Sequence, residues 1–416
     1  MRSTRSRALA GAAFALLVLA ALPGVSAVVG RPVAETTPTA DEDAASAEKA
    51  EGRWETLFTL PGADDEPTVI KAFSGEDVWV FTRYEFNDDE AEIWEQPRPR
   101  GYHWDGGSWR RVPFPAGQTG VVGEAVGASG SDLWISVTGL YDASDSMQGI
   151  LRWNGGSWSV SKRLEDGSSF FPFGLTTLSD GGALAFAQLR PEVNSVEMLR
   201  YEDRAWTVQK TGVAMFVPPA VVSGHDIWAI GSAGEGEDAE TVFHYDGSSW
   251  KRTAPERGVS TPGIRMCEEG EWPGRNTFPC LTSNSGLRQI AAGPEGDVVL
   301  AVGLERYDSA HELVYLTRLL RWDGARWVRL GGDVRRAAGL LIPDGSGGLW
   351  FVVSDSDGQH IALLHRTEEG RLLRYPLPEK QVSIKGMAVA PDGTVYATGT
   401  TLEGGEERSG VWRLTP

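Results

Sequence analysis

The residues of this sequence with the clearest chemical potential are carboxylates, and they occur in dense clusters. Two of the densest are Asp88-Asp89-Glu90 and Glu237-Asp238-Ala239-Glu240. Carboxylates gathered on one surface raise the local concentration of cations, so they would attract cationic peptides, polyamines or hard cations such as Ca²⁺. Two carboxyl groups about 5 to 10 Å apart, one of them with a raised pKa, would instead form the catalytic pair of a carbohydrate-active hydrolase or lyase. Asp88 and Asp145 are candidates for such a pair.

Motifs of other catalytic or metal chemistry are missing from the sequence. It contains no Gly-x-Ser-x-Gly elbow, no phosphate-binding loop and no His-Glu-x-x-His. The histidines are scattered and form no set of metal ligands: His103, His225, His244, His311, His360 and His365. A single histidine in a strand is more often a packed or surface residue than a ligand. The motifs therefore give no support for catalysis, and they imply no cofactor other than the Ca²⁺ that the carboxylates could attract.

Charge and composition restrict both the partners and the fold class. Asp+Glu number 57 against 39 for Lys+Arg, which gives a formal net charge of −18. Phosphate binding needs a basic surface, so nucleic acid is not an expected partner. The 51 glycines, the 16 tryptophans and a charged fraction of only 23% argue against a coiled coil, a collagen or a disordered chain. Many short strands joined by glycine turns are expected instead.

The N-terminus has the three parts of a secretory signal peptide. Arg2, Arg5 and Arg7 precede an apolar run over 8–22, and Val25-Ser26-Ala27 follows as a small-residue cleavage site. The apolar run is shorter than the roughly 20 residues that a membrane-spanning helix needs. We predict a signal peptide over 1–27 and a secreted chain with no membrane span, whose net charge changes from −18 to −21 once the three arginines are lost.

Two further features are the segment that follows the predicted signal peptide and a pair of cysteines. Residues 28–52 are rich in Pro, Thr, Ala and acidic residues with few large apolar side chains, so we predict a disordered linker. Cys267 and Cys280 are the only cysteines. In an exported protein such a pair predicts a disulfide rather than a metal site or a reactive thiol.

Two sequence patterns recur along the rest of the chain and indicate the elements that position the carboxylates. The first is an apolar strand containing a tryptophan, at Asp77-Val78-Trp79, Asp132-Leu133-Trp134, Asp226-Ile227-Trp228 and Gly348-Leu349-Trp350. The second is a hairpin, at Trp104-Asp105-Gly106, Trp153-Asn154-Gly155, Tyr245-Asp246-Gly247 and Trp322-Asp323-Gly324, each followed by a tryptophan that begins the next strand. An Asp-Gly or Asn-Gly pair between alternating runs is a strong hairpin signal.

In register, these patterns give seven units, which begin near Thr68, Val121, Phe170, Phe216, Leu287, Val334 and Val382. Four strands per unit at a period of about 50 residues are typical of a propeller blade. The seventh unit lacks its last strand, whereas 52–57 resembles one at the start of the chain. The sequence thus predicts an all-β, seven-bladed β-propeller of four-stranded antiparallel blades over 53–416, with the N-terminal strand completing the last blade and with an insert at about 256–285 between blades four and five.

The recurring aromatic and turn residues are best explained by this fold. One tryptophan per blade at the same strand position predicts packing between blades rather than a platform for sugar rings. The Asp or Asn of each hairpin predicts hydrogen bonds from its side chain to the turn backbone.

The order of these elements resembles that of the kelch and galactose-oxidase-like propellers. The resemblance is carried by Val242-Phe243-His244-Tyr245-Asp246 with Trp250 and Pro255 behind it, and it spans nearly the whole mature chain. The paired glycines of that family are matched only by Gly231 and Gly303. A galactose-oxidase copper site would require two His, two Tyr and a Cys crosslinked to one Tyr, and the two cysteines here share one loop.

In a propeller, the loops between second and third strands open on the same face as the links between blades, and here every blade contributes acids to that face. The candidate binding residues are Asp88, Asp89, Glu90, Asp142, Asp145, Glu237, Asp238, Glu240, Asp308, Glu312, Asp355 and Asp357, with Arg265 and Trp272 from the insert. We expect a monomeric, non-enzymatic propeller that binds an extracellular protein, a cationic peptide, a cation such as Ca²⁺ or a glycan there. Two alternatives stay open: the hydrolase or lyase, and acidic loops that only keep the protein soluble.

Overall fold

The chain folds as the seven-bladed β-propeller that the repeats predict. The structure, a computed structural model, describes residues 42–43, 47–62, 65–84, 97–138, 149–164, 173–187, 196–233, 241–253, 265–266, 280–281, 286–293, 296–307, 313–354, 359–403 and 406–415. Within these ranges the regular structure is entirely β-strand, in seven sheets in which the four strands of each blade are antiparallel. No helix in the described ranges is long and apolar enough to cross a membrane.

Each blade has an inner, a second, a third and an outer strand. Blades 1 to 3 consist of Asp65–Ser74, Asp77–Tyr84, Arg98–Trp104 and Trp109–Val112; then Val121–Ser129, Asp132–Thr138, Gly149–Trp153 and Trp158–Arg163; then Phe173–Thr177, Ala183–Ala187, Glu197–Glu202 and Ala205–Lys210. Blades 4 and 5 consist of Ala220–Ser223, Asp226–Ser232, Thr241–Tyr245 and Trp250–Arg252; then Gly286–Ala292, Val298–Tyr307, Leu313–Trp322 and Trp327–Arg329. Blades 6 and 7 consist of Ala337–Pro343, Leu349–Ser354, His360–Arg366 and Leu372–Tyr375; then Ser383–Val389, Val395–Glu403, Glu406–Thr415 and Arg53–Thr59.

The last blade is completed by the first strand of the ring, as predicted. Arg53–Thr59 pairs antiparallel with Glu406–Thr415, with Trp54 opposite Leu414. Each inner strand contacts the inner strands of the two neighbouring blades, and the contact between blades 7 and 1 closes the circle. At that seam the Tyr396 hydroxyl donates to the Gly75 carbonyl at 3.1 Å. Closure in this way leaves no inner strand of a blade at a free end of the ring.

The hairpin residues have the predicted turn chemistry. Asp105 Oδ1 accepts the backbone N–H groups of Gly107 and Ser108 at 3.1 and 2.9 Å. The same pair of bonds is made by Asn154, Asp246 and Asp323. Gly106 has φ of +88°, a conformation that costs glycine little and other residues more. The four residues at this position of the turn, Gly106, Gly155, Gly247 and Gly324, share it.

The tryptophans pack between blades, as the recurrence predicts. Trp79 is fully buried, and its ring lies 5.6 and 5.9 Å from those of Trp153 and Trp158 in the next blade. The same arrangement joins Trp134 to Tyr201 and Trp206, and Trp228 to Trp322 and Trp327. Aromatic rings at these distances and angles make favourable edge-to-face contacts, so they are part of the core and not a sugar-binding surface.

Part of the segment predicted to be a disordered linker is paired in the structure. Glu42–Asp43 runs parallel to Val334–Arg335, and Glu48–Lys49 runs parallel to Leu373–Arg374 in the outer strand of blade 6. Composition indicated disorder because these residues bury little apolar surface, but backbone pairing with an existing strand edge does not need that burial. Residues 1–41 and 44–46, with the predicted signal peptide, lie outside the described part of the chain.

Blade 5 is enlarged at the end where the insert joins it. Its second and third strands, Val298–Tyr307 and Leu313–Trp322, are ten residues each. The insert returns to this blade through two short strands, Arg265–Met266 and Cys280–Leu281, with Leu281 opposite Arg306. On the other side, Val334–Arg335 pairs with Leu316 and Thr317. Blade 5 therefore continues into a wider sheet.

Candidate functional site

The two faces of the ring differ in how the chain crosses them. On one, here called the turn face, strands are joined by short turns such as 75–76 and 105–108. On the other, the loop face, the connections include 85–97, 139–148 and the stretch 253–285 that contains the insert. Longer connections held by a rigid scaffold are where binding residues of folded proteins concentrate. The loop face is therefore the candidate site.

Nearly all residues predicted for this face lie outside the described residues. These are Asp88, Asp89, Glu90, Asp142, Asp145, Glu237, Asp238, Glu240, Asp308, Glu312, Asp355, Asp357 and Trp272. Arg265 lies in a short strand paired with Cys280–Leu281, without a described side chain. Cys280 is in that strand and Cys267 lies outside the description, so the disulfide stays a prediction.

The strand ends that carry the first long connection are held by a buried carboxylate that sequence reasoning missed. Asp65 is fully buried, and its oxygens accept from the Arg100 guanidinium at 2.7 Å, the Tyr102 hydroxyl at 3.2 Å and the Thr82 hydroxyl at 3.3 Å. Burial, and then the charge of Asp65, raise the pKa of the Tyr102 hydroxyl. Thr82 and Arg100 flank the segment 85–97 on either side, so this network gives the connection a rigid base.

Basic groups also stand on the loop face, at the ends of strands in the first and last blades. Lys385 from blade 7 lies 3.1 Å from Glu66 of blade 1, and Arg83 Nε donates to the same carboxylate at 2.7 Å. Partial burial raises the pKa of Glu66, but the hydrogen bonds from Lys385 and Arg83 outweigh it and hold the pKa below its usual range. This ion-pair group links the first and last blades, and it shows that the described part of the face is not uniformly acidic.

A buried carboxylate on an inner strand joins two blades. Glu124 of blade 2 accepts the backbone N–H groups of Gly174 and Leu175 in blade 3, both at 2.7 Å. These N–H groups are freed by an irregularity in the pairing of the blade 3 inner strand. Gln289 has the same function between blades 5 and 6, where its Oε1 accepts the Leu341 N–H at 3.3 Å. A cavity of about 260 Å³ opens beside Glu124 between the inner strands of blades 2 to 5.

Burial raises the pKa of Glu124 to about 7, although the two N–H groups favour its ionised form. Between its ordinary pKa of 4.5 and 7, the folded protein holds a proton that the unfolded chain has released. The contribution of this group to stability therefore falls as pH rises through that window, by about 3 kcal/mol in all.

We predict that Glu124→Gln removes most of this pH dependence, because the amide does not ionise. Urea unfolding of wild type and variant at pH 4.5 to 7.5 would measure it, with Glu55→Gln as an exposed control. Equal slopes of unfolding free energy against pH in wild type and Glu124→Gln would contradict the prediction.

The turn face is acidic too, but its carboxylates serve the fold. Backbone N–H groups of Ser108 and Gly107 hold the pKa of Asp105 below its usual range. Asp246 is held lower still, first by Lys251 and then by Ser248 and Ser249. Negative charge alone therefore does not distinguish the faces, and the carboxylates of Asp105 and Asp246 are explained by hydrogen bonds within their turns.

Three of the histidines are packed, as expected for single histidines in strands. The His103 ring stacks on Trp79 at 4.4 Å, with Nε2 at 2.8 Å from Asp77 and Nδ1 at 3.0 Å from the Arg110 guanidinium. Because a guanidinium can only donate, Nδ1 accepts and the proton of the neutral ring lies on Nε2, toward Asp77. His244 and His365 repeat the stacking on Trp228 and Trp350, with Asp226 and Asp344 as partners. His311 lies outside the described residues.

A second cavity, of about 540 Å³, lies between blades 2 and 3 at the turn face. It is lined by hydroxyl, amide and charged groups, among them Ser131, Ser159 and Arg204. The Arg152 guanidinium in its wall is already held by both oxygens of Asp132, at 2.9 and 3.0 Å. Among the described residues, no group of three or more His, Cys, Asp and Glu side chains could hold a metal ion.

Comparisons with known proteins support the fold but do not indicate a function. No protein-family model and no curated protein matches the chain. YCF48 bound to D1 peptide matches 89% of this chain with all of its own, at 14% identity and a TM-score of 0.53. A catalytically inactive virginiamycin B lyase from Staphylococcus aureus, with quinupristin, matches 88% of this chain over its own full length, at 12% sequence identity and a TM-score of 0.51. The β-propeller domain of the Trilobed protease from Pyrococcus furiosus matches 86% of this chain with 94% of its own length, at 11% sequence identity and a TM-score of 0.50.

At these identities the likeness shows the propeller fold alone. It does not show the kelch or galactose-oxidase-like family that the repeats resemble, and the matched proteins have different roles by their own descriptions. The choice among functions therefore depends on this chain's own residues.

Proposed function

We propose that the protein binds a cationic peptide, or a basic segment of a partner protein, on its loop face. The observation that carries this is the asymmetry of the ring: the long connections leave one face, while the turn face has short ones. The first of them, 85–97, contains Glu85, Asp88, Asp89, Glu90, Glu92 and Glu95 and no Lys or Arg. YCF48, a propeller of similar fold, is described bound to a peptide, which is consistent with such a role.

Export and monomeric action belong to the same proposal. The segment 1–27 has the composition of a signal peptide, and the cysteine pair suits an oxidising compartment. The carbohydrate-active alternative depends on convergence of carboxylates such as Asp88 and Asp145, which lie outside the described residues. Binding is favoured over catalysis because Asp65 and Glu66, two described carboxylates at this face, are held in ion pairs with basic side chains.

The test is binding of a labelled decalysine peptide by the mature chain. We predict that the triple change Asp88→Asn, Asp89→Asn and Glu90→Gln weakens binding at least about threefold at low salt, since each lost charge removes on the order of a few tenths of a kcal/mol. The dependence of affinity on salt should also flatten, and the melting temperature should stay within about 2 °C. The triple change Glu237→Gln, Asp238→Asn and Glu240→Gln should act in the same way.

A matched control removes three negative charges from the turn face, by Glu76→Gln, Asp203→Asn and Glu369→Gln. Net charge changes by the same amount, so a non-specific attraction to the whole acidic protein would weaken equally in both sets. Equal loss of affinity in the control and the loop variants would therefore overturn the proposed site.

A further inference from the structure

The N-terminal segment before the closing strand contacts blades 5 and 6. We call residues 47–52 the strap. Upstream of it, Glu42–Asp43 lies parallel to Val334–Arg335 of blade 5. Within it, Glu48–Lys49 lies parallel to the outer strand of blade 6, with Glu48 opposite Leu373 and Lys49 opposite Arg374. The chain then enters the closing strand at Arg53.

Backbone and side-chain contacts both hold the strap on blade 6. The Ala50 N–H donates to the Arg374 carbonyl at 2.9 Å. One nitrogen of the Arg371 guanidinium lies 2.6 Å from each oxygen of Glu48. Ala47 packs against the core cluster that contains Leu372. The strap therefore satisfies part of an outer strand that would otherwise present unpaired N–H and C=O groups.

The contacts between the strap and blade 6 are weak enough for another peptide to replace them. Glu48 and Arg371 are each 59% exposed, and exposed ion pairs contribute little. Glu48 and Lys49 bury little apolar surface, in contrast to Leu57 and Phe58 of the closing strand, which pack against a core cluster. The strap remains in place largely because it is tethered at Arg53, which gives it a high effective concentration at the blade edge.

We propose that the outer edge of blade 6 is a strand-addition site for an extended acidic peptide, and that the strap occupies it in cis. Addition of a strand to an exposed sheet edge is a recognised mode of peptide binding, in which the backbone gives affinity and side chains give selectivity. The ligand that fits has a small residue at the position of Ala47 and a carboxylate at that of Glu48, facing Arg371. This site is independent of the loop face and of the proposed function there.

The experiment uses a chain that lacks residues 33–50 and a labelled synthetic peptide of residues 40–52. The shortened chain should bind the peptide saturably and at least tenfold more tightly than the full chain, in which the strap competes. Arg371→Glu should weaken that binding two- to fivefold, and a peptide with Glu48→Arg should recover it. No saturable binding by the shortened chain, or equal binding by both chains, would overturn the proposal.

A second measurement on the full chain keeps the proposal testable if the shortened chain does not fold. A protease specific for lysine should cut after Lys49 several times faster in Arg371→Glu than in wild type, because the strap leaves the edge more often. The double variant Arg371→Glu with Glu48→Arg should return toward the wild-type rate. Unchanged cleavage in Arg371→Glu would count against an exchangeable strap.

Discussion

Deletion of residues 53–59 should lower the melting temperature by at least about 10 °C, or abolish cooperative melting altogether. The deletion removes a seven-residue strand paired along its length with Glu406–Thr415. It also removes Phe58, whose ring stacks on Trp109 of blade 1 at 5.0 Å, so the seam loses contacts on both sides. Blade 7 would then present an unpaired edge to solvent.

Thermal unfolding followed by circular dichroism would measure this effect, with a chain lacking residues 28–50 as the control. The control loses residues 47–50 of the strap but keeps the closing strand, so its melting temperature should fall by much less. Addition of a synthetic peptide of residues 50–62 in excess should raise the melting temperature of the first deletion again. Equal melting of the two deletions would contradict the view that the closing strand holds the ring.

The second large effect is expected at a buried charge cluster in blade 5. Asp333 is only 2% exposed, and its carboxylate holds the buried Arg318 guanidinium through two hydrogen bonds of 2.9 and 2.8 Å. Arg329 lies 2.6 Å from the same carboxylate. Asp333→Ala takes this carboxylate away from two guanidinium groups, and removal of one partner from a buried ion pair costs about 3 to 5 kcal/mol of unfolding free energy.

Urea denaturation would measure the loss, with two controls chosen for contrast. Glu55→Gln breaks the ion pair with Arg413, in which Glu55 is 52% exposed, and should cost no more than about 1 kcal/mol. The double variant Arg318→Met with Asp333→Leu removes the two most buried charges of the cluster and leaves only Arg329, which is 22% exposed, so it should recover much of the stability lost in Asp333→Ala. A cost below 1 kcal/mol for Asp333→Ala would show that the cluster is not effectively buried.

Sequence reasoning could reach the fold because a propeller repeats its local signals. The Asp-Gly and Asn-Gly turns and the tryptophans each depend on near neighbours in the chain or on the same position in the next unit, and both recur visibly. Even the closure between distant residues such as Trp54 and Leu414 was predictable, because the seventh unit lacked its last strand and the segment 52–57 was a strand that belonged to no unit. Composition, by contrast, could not predict the pairing of Glu48–Lys49, since it records apolar content and not the availability of a strand edge.

The amino-acid sequence by itself determined the number of blades, the four strands of each blade and the roles of the turn aspartates, because these follow from local periodicity. Only the tertiary structure decided which charged groups meet: Asp65 with Arg100, Glu66 with Lys385, and Arg318 with Asp333. The number of residues between the two partners differs from one pair to the next. Each forms because strands from different parts of one blade, or from two blades at the seam, bring side chains together, and no local pattern encodes that proximity. At Asp65 and at Arg318–Asp333 little water remains, which strengthens the attraction between the charges.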